Sequence, residues 1–139
     1  VLHLIAYYGL RPCEVVGLRL SAIDWTGRTL RVAQRKTGSM LILPLDDRTL
    51  RLLRDFLGHE RAGAGQEEPL FLRARCPAGP LERTAVSDIF AKRMREAGLP
   101  SCGKHVYRLR HTLAMRLLAR GVGIKAIGDV LGHRSFFGT

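Results

Sequence analysis

Apolar residues recur along the chain at two different spacings, and the change of spacing separates predicted helices from predicted strands. Residues 1–9 are apolar at helical spacing and end at Gly9, which predicts a helix closed by a glycine. A second helix is predicted from Pro12, because proline suits the first turn of a helix. The spacing then becomes that of strands at 29–33 and 40–43, with glycines marking the turns. These two segments predict a small antiparallel sheet.

Helical spacing returns after the predicted sheet and continues to the end of the chain. We expect a loop at 62–69, a short strand at 70–74, and helices at 46–60, 84–98, 106–120 and 123–131. The sequence shows neither an internal repeat nor a second domain. The pattern therefore predicts a single α+β domain over residues 1–139, mostly helical, with one small antiparallel sheet.

The balance of charges indicates the kind of partner that the domain binds. The 139 residues include 23 Lys and Arg against 12 Asp and Glu, which gives a formal net charge of +11, and 46% of them are hydrophobic. The hydrophobic fraction fits a folded domain, while the positive excess favours a polyanion, with nucleic acid as the leading candidate. No apolar run is long enough to span a bilayer, so a membrane is not an expected partner.

The cysteines and histidines do not indicate a metal site. Cys13, Cys76 and Cys102 show neither disulfide nor metal spacing, which is typical of a reducing compartment, and we expect a cytoplasmic location. The five histidines form no pair that is spaced to hold zinc. We therefore expect neither a metal nor another cofactor.

A charged residue lies within the apolar side of the predicted helix 106–120. On a helical wheel one arc holds six apolar residues: Val106, Leu109, Leu113, Ala114, Leu117 and Leu118. Arg110 falls inside this arc, and burying its guanidinium without a partner would be very costly. One interpretation is an ion pair with Asp88 or Asp129. The other is an anion near the first helical turn, where backbone N–H groups already attract negative charge, and the wheel leaves both open.

Three motifs follow one another in an order that is typical of one protein family. "YGLRPCEVVGLRLSAID" contains Gly-Leu-Arg-x-x-Glu-x-x-x-Leu, "RKTGSMLILPL" forms a hairpin with a lysine, and "LRHTLAMRLLARGVGIKAIGDVLGHRS" contains Arg-His-Thr and Leu-Gly-His. Together they resemble the catalytic domain of tyrosine recombinases, the phage-integrase family, over nearly the whole chain. The resemblance implies a tyrosine-recombinase-like fold and site-specific DNA recombination or integration.

The resemblance also implies roles for individual residues. Arg11 and Arg110 match the family arginines that grip the scissile phosphate, where planar guanidiniums stabilise the charge gathering on its oxygens. Lys36, in the turn between the strands, matches the general acid that protonates the departing 5′ oxygen. His133 matches the histidine that hydrogen-bonds the phosphate. Glu14 is expected either to orient Arg11 or to support the start of its helix.

The chain departs from the family pattern at two points. Tyr107 stands where the family has its early histidine, and a neutral phenol can donate a hydrogen bond but is a poor base. The family's nucleophilic tyrosine falls about nine residues after the late histidine, so its expected position lies past Thr139. We therefore expect residues 1–139 to be a piece of a longer protein, truncated at both ends, that binds DNA weakly and cleaves none by itself.

For the longer protein, the resemblance implies double-stranded DNA as the substrate, an N-terminal DNA-clamping domain and a homo-tetramer on paired sites. Two related interpretations stay open: a catalytically inactive relative that only binds DNA, and a type IB topoisomerase-like domain, which shares the mechanism. A helix-turn-helix reader of DNA is disfavoured, because the predicted helix 123–131 offers only Lys125 and Asp129 to base edges.

Overall fold

The computed structural model describes residues 1–34, 38–60, 68–73, 79–100 and 105–131. Within these ranges the chain forms, in order, α1 (Leu2–Tyr8), α2 (Pro12–Val16), a 3₁₀ turn (Leu20–Ala22), β1 (Ile23–Asp24), β2 (Thr29–Gln34), β3 (Ser39–Pro44), α3 (Asp47–Glu60), α4 (Arg83–Glu96), α5 (Tyr107–Ala119) and α6 (Ile124–Val130). The predicted α+β class, mostly helical with one small antiparallel sheet, is confirmed. None of the helices in these ranges has the length and apolar character that crossing a membrane demands.

The sheet has three antiparallel strands in the order β1-β2-β3, and one of its faces packs onto the core. Side chains alternate along β2, so that Leu30 and Val32 are fully buried while Arg31 is exposed on the opposite face. Leu30 pairs with Leu43 and Val32 pairs with Leu41, which places Leu41 and Leu43 on the same face, whereas Met40 and Ile42 are exposed on the other. The strand β1 was not predicted, because two residues are too few to show a period.

Buried side chains from the first four helices and the sheet form one contiguous hydrophobic core. Its fully buried members include Ile5, Leu10, Val15, Leu30, Val32, Leu70 and Val86. The C-terminal helices reach this core through Val106, at the start of α5, and partly through Leu109. The core therefore fixes α1, α2 and the start of α5 relative to one another, and these elements position Arg11, Tyr107 and Arg110.

The predicted strand at 70–74 is not formed. Its first residues are buried in the core, but the segment pairs with its neighbours at isolated positions, Arg19 with Pro69 and Leu72 with Pro80. Proline lacks the N–H that a continued ladder needs, so neither pairing extends into a strand. The last residue of the predicted strand lies outside the described residues.

The apolar side of α5 is less buried than the wheel predicts. Val106 is 1% exposed and Arg110 is 8% exposed, but Leu118 in the last turn is 44% exposed. Leu118 lines an open apolar cleft between α5 and α6 together with Ile124 and Ile127. The prediction of a continuous buried arc is therefore wrong toward the C-terminal end of the helix.

Candidate functional site

Arg11 is placed by the start of α2, where it is the residue that precedes the helix. Pro12 occupies the first helical position, and the backbone of Arg11 is extended, as is usual for the residue that precedes a helix. Glu14 accepts a hydrogen bond from the backbone N–H of Arg11 at 2.7 Å through Oε2. Its other oxygen, Oε1, accepts one from Nη1 of the Arg11 guanidinium at 2.9 Å. Both roles expected of Glu14 are therefore present: one oxygen supports the helix start and the other orients Arg11.

The pair formed by Arg11 and Glu14 lies largely out of the solvent. Glu14 is a buried carboxylate, and the Arg11 side chain is 18% exposed. An ion pair that is shielded from water loses less of its attraction to screening than a surface pair does. The bond to Glu14 therefore holds the Arg11 guanidinium in one orientation.

Arg110 lies one turn into α5 and is the buried polar residue of that helix. Its Nη1 donates to the backbone carbonyl of Gly9, and its Nη2 donates to the backbone carbonyl of Leu131. Within the described residues Arg110 forms no ion pair with a carboxylate, so neither Asp88 nor Asp129 is its partner. Neutral carbonyls satisfy its buried N–H groups without cancelling its charge, and the site stays positive.

The two guanidiniums influence each other, although they come from opposite ends of the sequence. Burial lowers the pKa of Arg110, and the positive charge of Arg11 lowers it further, while the carboxylate of Glu14 acts in the opposite direction. Because Coulomb interactions fade within a Debye length of about 10 Å, Arg11 and Arg110 share one electrostatic environment. An arginine keeps its proton through a shift of this kind, so Arg110 remains cationic. Together the two guanidiniums form a positively charged site that suits an anion.

Tyr107 lies at the edge of this site. It is the first residue of α5, its side chain is 56% exposed, and it is close enough to affect the pKa of Arg110. Its phenol can donate a hydrogen bond to a ligand held by the arginines. The structure thus brings together three of the predicted residues: Arg11, Tyr107 and Arg110.

Lys36 and His133 lie outside the described residues, but the ends of their neighbouring elements are defined. Lys36 follows β2 by two residues, and the hairpin is closed by a hydrogen bond from the Gly38 N–H to the Gln34 carbonyl at 2.8 Å. His133 follows Leu131, whose carbonyl binds Arg110, by two residues. Within the described part of the chain, no group of three or more His, Cys, Asp or Glu side chains could hold a metal ion.

Sequence reasoning missed two contacts of the candidate site, the backbone carbonyls of Gly9 and Leu131 that accept from Arg110. Gly9 was predicted to end a helix, which it does with φ +66, but its carbonyl was not predicted to bind Arg110. Every residue type carries a backbone carbonyl, so no residue type marks such a partner. One sequence feature could have pointed to these two residues: each stands two residues before a predicted site residue, Gly9 before Arg11 and Leu131 before His133.

Comparison with known proteins gives this arrangement its context. The sequence pattern of the phage integrase family matches residues 1–138. The chain belongs to the phage integrase family. The resemblance noted from the three motifs is thus confirmed over nearly the whole length.

Individual relatives of this phage integrase domain agree with that assignment. The chain is 36% identical over 142 residues to y4gC of Sinorhizobium fredii (strain NBRC 101917 / NGR234), with 100% of this chain and 71% of that protein covered. It is 33% identical over 141 residues to tyrosine recombinase XerC of Pelobacter propionicus (strain DSM 2379 / NBRC 103807 / OttBd1), covering 100% of this chain and 44% of XerC. The chain thus spans less than half of that recombinase.

A solved structure shows the same fold. The Tn1549 transposon integrase, in complex with transposon right end DNA, superposes with a TM-score of 0.76 at 18% identity. The superposition covers 96% of this chain and 50% of the integrase chain. At this identity the likeness concerns the fold alone, and it confirms the predicted tyrosine-recombinase-like architecture.

Proposed function

We propose that this chain is the catalytic domain of a site-specific tyrosine recombinase that breaks and rejoins double-stranded DNA through a 3′-phosphotyrosyl intermediate. One observation carries the proposal. The buried guanidinium of Arg110 is held by two neutral carbonyls, beside the oriented guanidinium of Arg11, so the site keeps uncancelled positive charge. A structural arginine in an apolar setting would be expected to pair with a carboxylate, whereas an anion-binding arginine needs its charge.

The chemistry of a phosphodiester explains why two fixed guanidiniums are useful. When the phosphorus is attacked, negative charge gathers on its non-bridging oxygens, and donors already in position stabilise that charge without reorganisation. Each hydrogen bond to a charged group contributes about 1.5–3 kcal/mol. Glu14 orients Arg11 and the two carbonyls orient Arg110, so both arginines are positioned before DNA arrives.

The remaining steps are assigned to residues that the motifs identify. The nucleophile is a tyrosine about nine residues after His133, which attacks the phosphorus and displaces the 5′ oxygen. Lys36 protonates that oxygen, His133 hydrogen-bonds the phosphate, and Tyr107 donates a hydrogen bond where other members have a histidine. The covalent phosphotyrosine stores the bond energy, so rejoining to a 5′ hydroxyl requires no ATP. The arginines and the lysine supply the positive charge, so this mechanism requires no metal or other cofactor.

The larger assembly is part of the same proposal. A formal net charge of +11 favours a DNA partner, because cations that neutralise phosphates release condensed counterions. The solved integrase of similar fold was captured with transposon right end DNA. In the full-length protein we propose an N-terminal DNA-clamping domain, a homo-tetramer on paired DNA sites and a cytoplasmic location.

One observation favours a second candidate, a catalytically inactive relative that binds DNA without cutting it. Tyr107 replaces the family's early histidine and is exposed at the edge of the site. A phenol is a poor base at neutral pH, so an enzyme that depended on that base would lose activity. The inactive relative would keep the positive site and the salt-dependent affinity for DNA.

Single-turnover cleavage of a nicked DNA site by the natural protein that contains this chain tests the proposal. Arg110→Ala should reduce cleavage by about 10²–10³-fold or more, because it removes a donor to the developing charge. Most of the DNA affinity should remain, since many phosphate contacts contribute to it. Arg116→Ala, an exposed arginine on the same helix, is the matched control and should cleave normally. A wild-type protein that binds the site but never cuts it would support the inactive relative, and unchanged cleavage by Arg110→Ala would refute the proposed role.

A further inference from the structure

The two hydrogen bonds of Arg110 join segments that the proposed reaction requires to be adjacent. Gly9 stands two residues before Arg11, and Leu131 stands two residues before His133. We propose that Gly9 and Leu131 are positioning residues, whose carbonyls bind one guanidinium and thereby align the start of α2, which carries Arg11, and the end of α6 with Arg110. We call this arrangement the carbonyl clamp. Its catalytic consequence rests on the proposed function, whereas its geometry does not.

Helix ends explain why these particular carbonyls are available. The last carbonyls of a helix have no partner within the helix and need a donor from elsewhere. Gly9 follows the last residue of α1, and Leu131 follows the last residue of α6. A positive charge at a helix C-terminus is also favoured by the helix dipole. Arg110 therefore caps two helices with one side chain.

The clamp leaves Arg110 able to bind a further anion. A guanidinium carries five N–H donors, and the clamp engages one on each terminal nitrogen. The bound carbonyls lie at fixed places in the fold, so the plane of the guanidinium is fixed as well. The remaining N–H groups then point in a constant direction, as recognition of a phosphate requires.

Gly9 is suited to the clamp in two ways. Its φ of +66 lies in the left-handed region, which residues other than glycine rarely adopt. A Cβ at this position would overlap Cδ2 of Leu131 and would meet Cδ2 of Leu113 at 3.1 Å. The absence of a side chain at residue 9 therefore leaves room for the Leu131 side chain beside the end of α1.

The chain supplies a matched control for this requirement. Gly98, after α4, has φ +67, and a Cβ there would have no atom within 4 Å. Gly98→Ala and Gly9→Ala therefore impose the same backbone strain, but only Gly9→Ala overlaps Leu131. Leu131→Ala removes the overlapping atom and keeps the carbonyl, so it should suppress the effect of Gly9→Ala.

The test follows the side-chain N–H signals of Arg110 by ¹⁵N NMR in the chain without DNA. The wild type should show slowly exchanging Nη–H signals, because both terminal nitrogens donate to buried carbonyls. These signals should be lost in Gly9→Ala, kept in Gly98→Ala and restored in the Gly9→Ala/Leu131→Ala double variant. Signals that persist in Gly9→Ala, or that disappear equally in Gly98→Ala, would overturn the proposal.

A second variant covers the case in which Gly9→Ala fails to fold. Arg110→Lys keeps the charge, but an ammonium has no planar fork to reach both carbonyls in the same geometry. Backbone amide signals around Gly9 and around Leu131 should both shift in this variant. If neither segment responds, the clamp does not align them and the inference is wrong.

Cleavage by the natural protein separates the clamp from the proposed function. Gly9→Ala should lower the single-turnover cleavage rate about a hundredfold, as a small misplacement of catalytic groups does, with little change in DNA affinity. The double variant with Leu131→Ala should recover most of that rate. If the NMR signals behave as expected but the wild-type protein cleaves no DNA, the clamp stands and the recombinase proposal fails.

Discussion

Apolar burial differs sharply between the sheet region, from α1 to α4, and the C-terminal helix pair, α5 and α6. In the sheet region Leu30 is completely buried and belongs to a contiguous core. In the helix pair Leu118 and Ile124 stay exposed, and the buried side chain within α5 is Arg110. Apolar contacts thus build the first region, while the second is joined to α1 by packing and by the hydrogen bonds of one arginine.

Because of this difference, the region that supplies most of the stability is not the place where the candidate site lies. Burial of apolar surface is the main favourable term in folding, so the sheet region should supply most of the stability. The candidate site lies where the two regions meet, with Arg11 contributed by one and Arg110 by the other. The site should therefore respond to changes at the junction that leave the core intact.

The largest effect is expected from a change at Lys36, the residue of the sheet region that acts as general acid in the proposed reaction. Lys36→Ala should slow cleavage by about 10²–10⁴-fold, the usual contribution of a general acid, without changing stability. A DNA substrate with sulfur at the 5′ bridging position should restore the rate, because a departing thiolate needs less protonation. Lys125→Ala, on the exposed side of α6, is the control. Failure of the sulfur substrate to rescue Lys36→Ala would count against a general acid.

A direct comparison of the two regions uses one truncation in each. Leu30→Ala should reduce the free energy of unfolding by about 2–5 kcal/mol, because it leaves a cavity in the core. Leu118→Ala should cost no more than about 0.5 kcal/mol, since the side chain is exposed. Urea denaturation of both variants measures the difference. Similar losses would show that the helix pair is as tightly packed as the sheet region.

A smaller effect is expected where α2 begins. Glu14→Gln keeps the shape of the side chain but replaces one acceptor oxygen with an NH₂ group that cannot accept from Arg11. Loss of one of its two bonds should cost about 1–2 kcal/mol of unfolding free energy. The variant should also slow cleavage, because Arg11 loses its orienting partner. Glu96→Gln, on an exposed carboxylate of α4, should do neither.

The smallest expected effect lies on the contact between α1 and α3. His3 Nε2 lies 2.7 Å from Thr49 Oγ1, and burial lowers the pKa of His3 below 6.5, helped by the charge of Arg48 and opposed by Asp46. The unfolded chain then takes up this proton at a higher pH than the folded protein does. Stability should therefore fall as the pH drops through 6.5, and the fall should end below the folded pKa.

The pH dependence can be assigned by substitution. His3→Gln should flatten the decline of the melting temperature between about pH 7 and the acid limit, since the shifted proton is gone. His59→Gln, at the exposed end of α3, should leave that slope unchanged. An equal slope in wild type and His3→Gln would mean that another group is responsible.

Parts of this fold were predictable because their signals are local. The predicted helix 46–60 forms as Asp47–Glu60, since leucines at helical spacing follow an acidic first turn. The predicted strands 29–33 and 40–43 form with one extra residue at the end of the first and at each end of the second. The start of α2 at Pro12, with its Glu14 support, also follows from local residue preferences.

The other features depend on contacts that sequence periods do not encode. The exposure of Leu118 depends on how closely α6 packs against α5, and the spacing of apolar residues in α5 does not show that. The wheel correctly placed Arg110 on a buried side, but its partners are backbone carbonyls from two other segments. Only the tertiary arrangement shows that the guanidinium keeps its charge uncancelled.

A double-mutant cycle on single-turnover cleavage by the natural protein tests the central claim, that Arg11 and Arg110 act on the same DNA phosphate. If they do, Arg11→Ala and Arg110→Ala should each cause a large loss, and the double variant should lose far less than the product of the two, as expected for residues that act as a unit. A double loss equal to that product, or a single variant that cleaves at the wild-type rate, would contradict it.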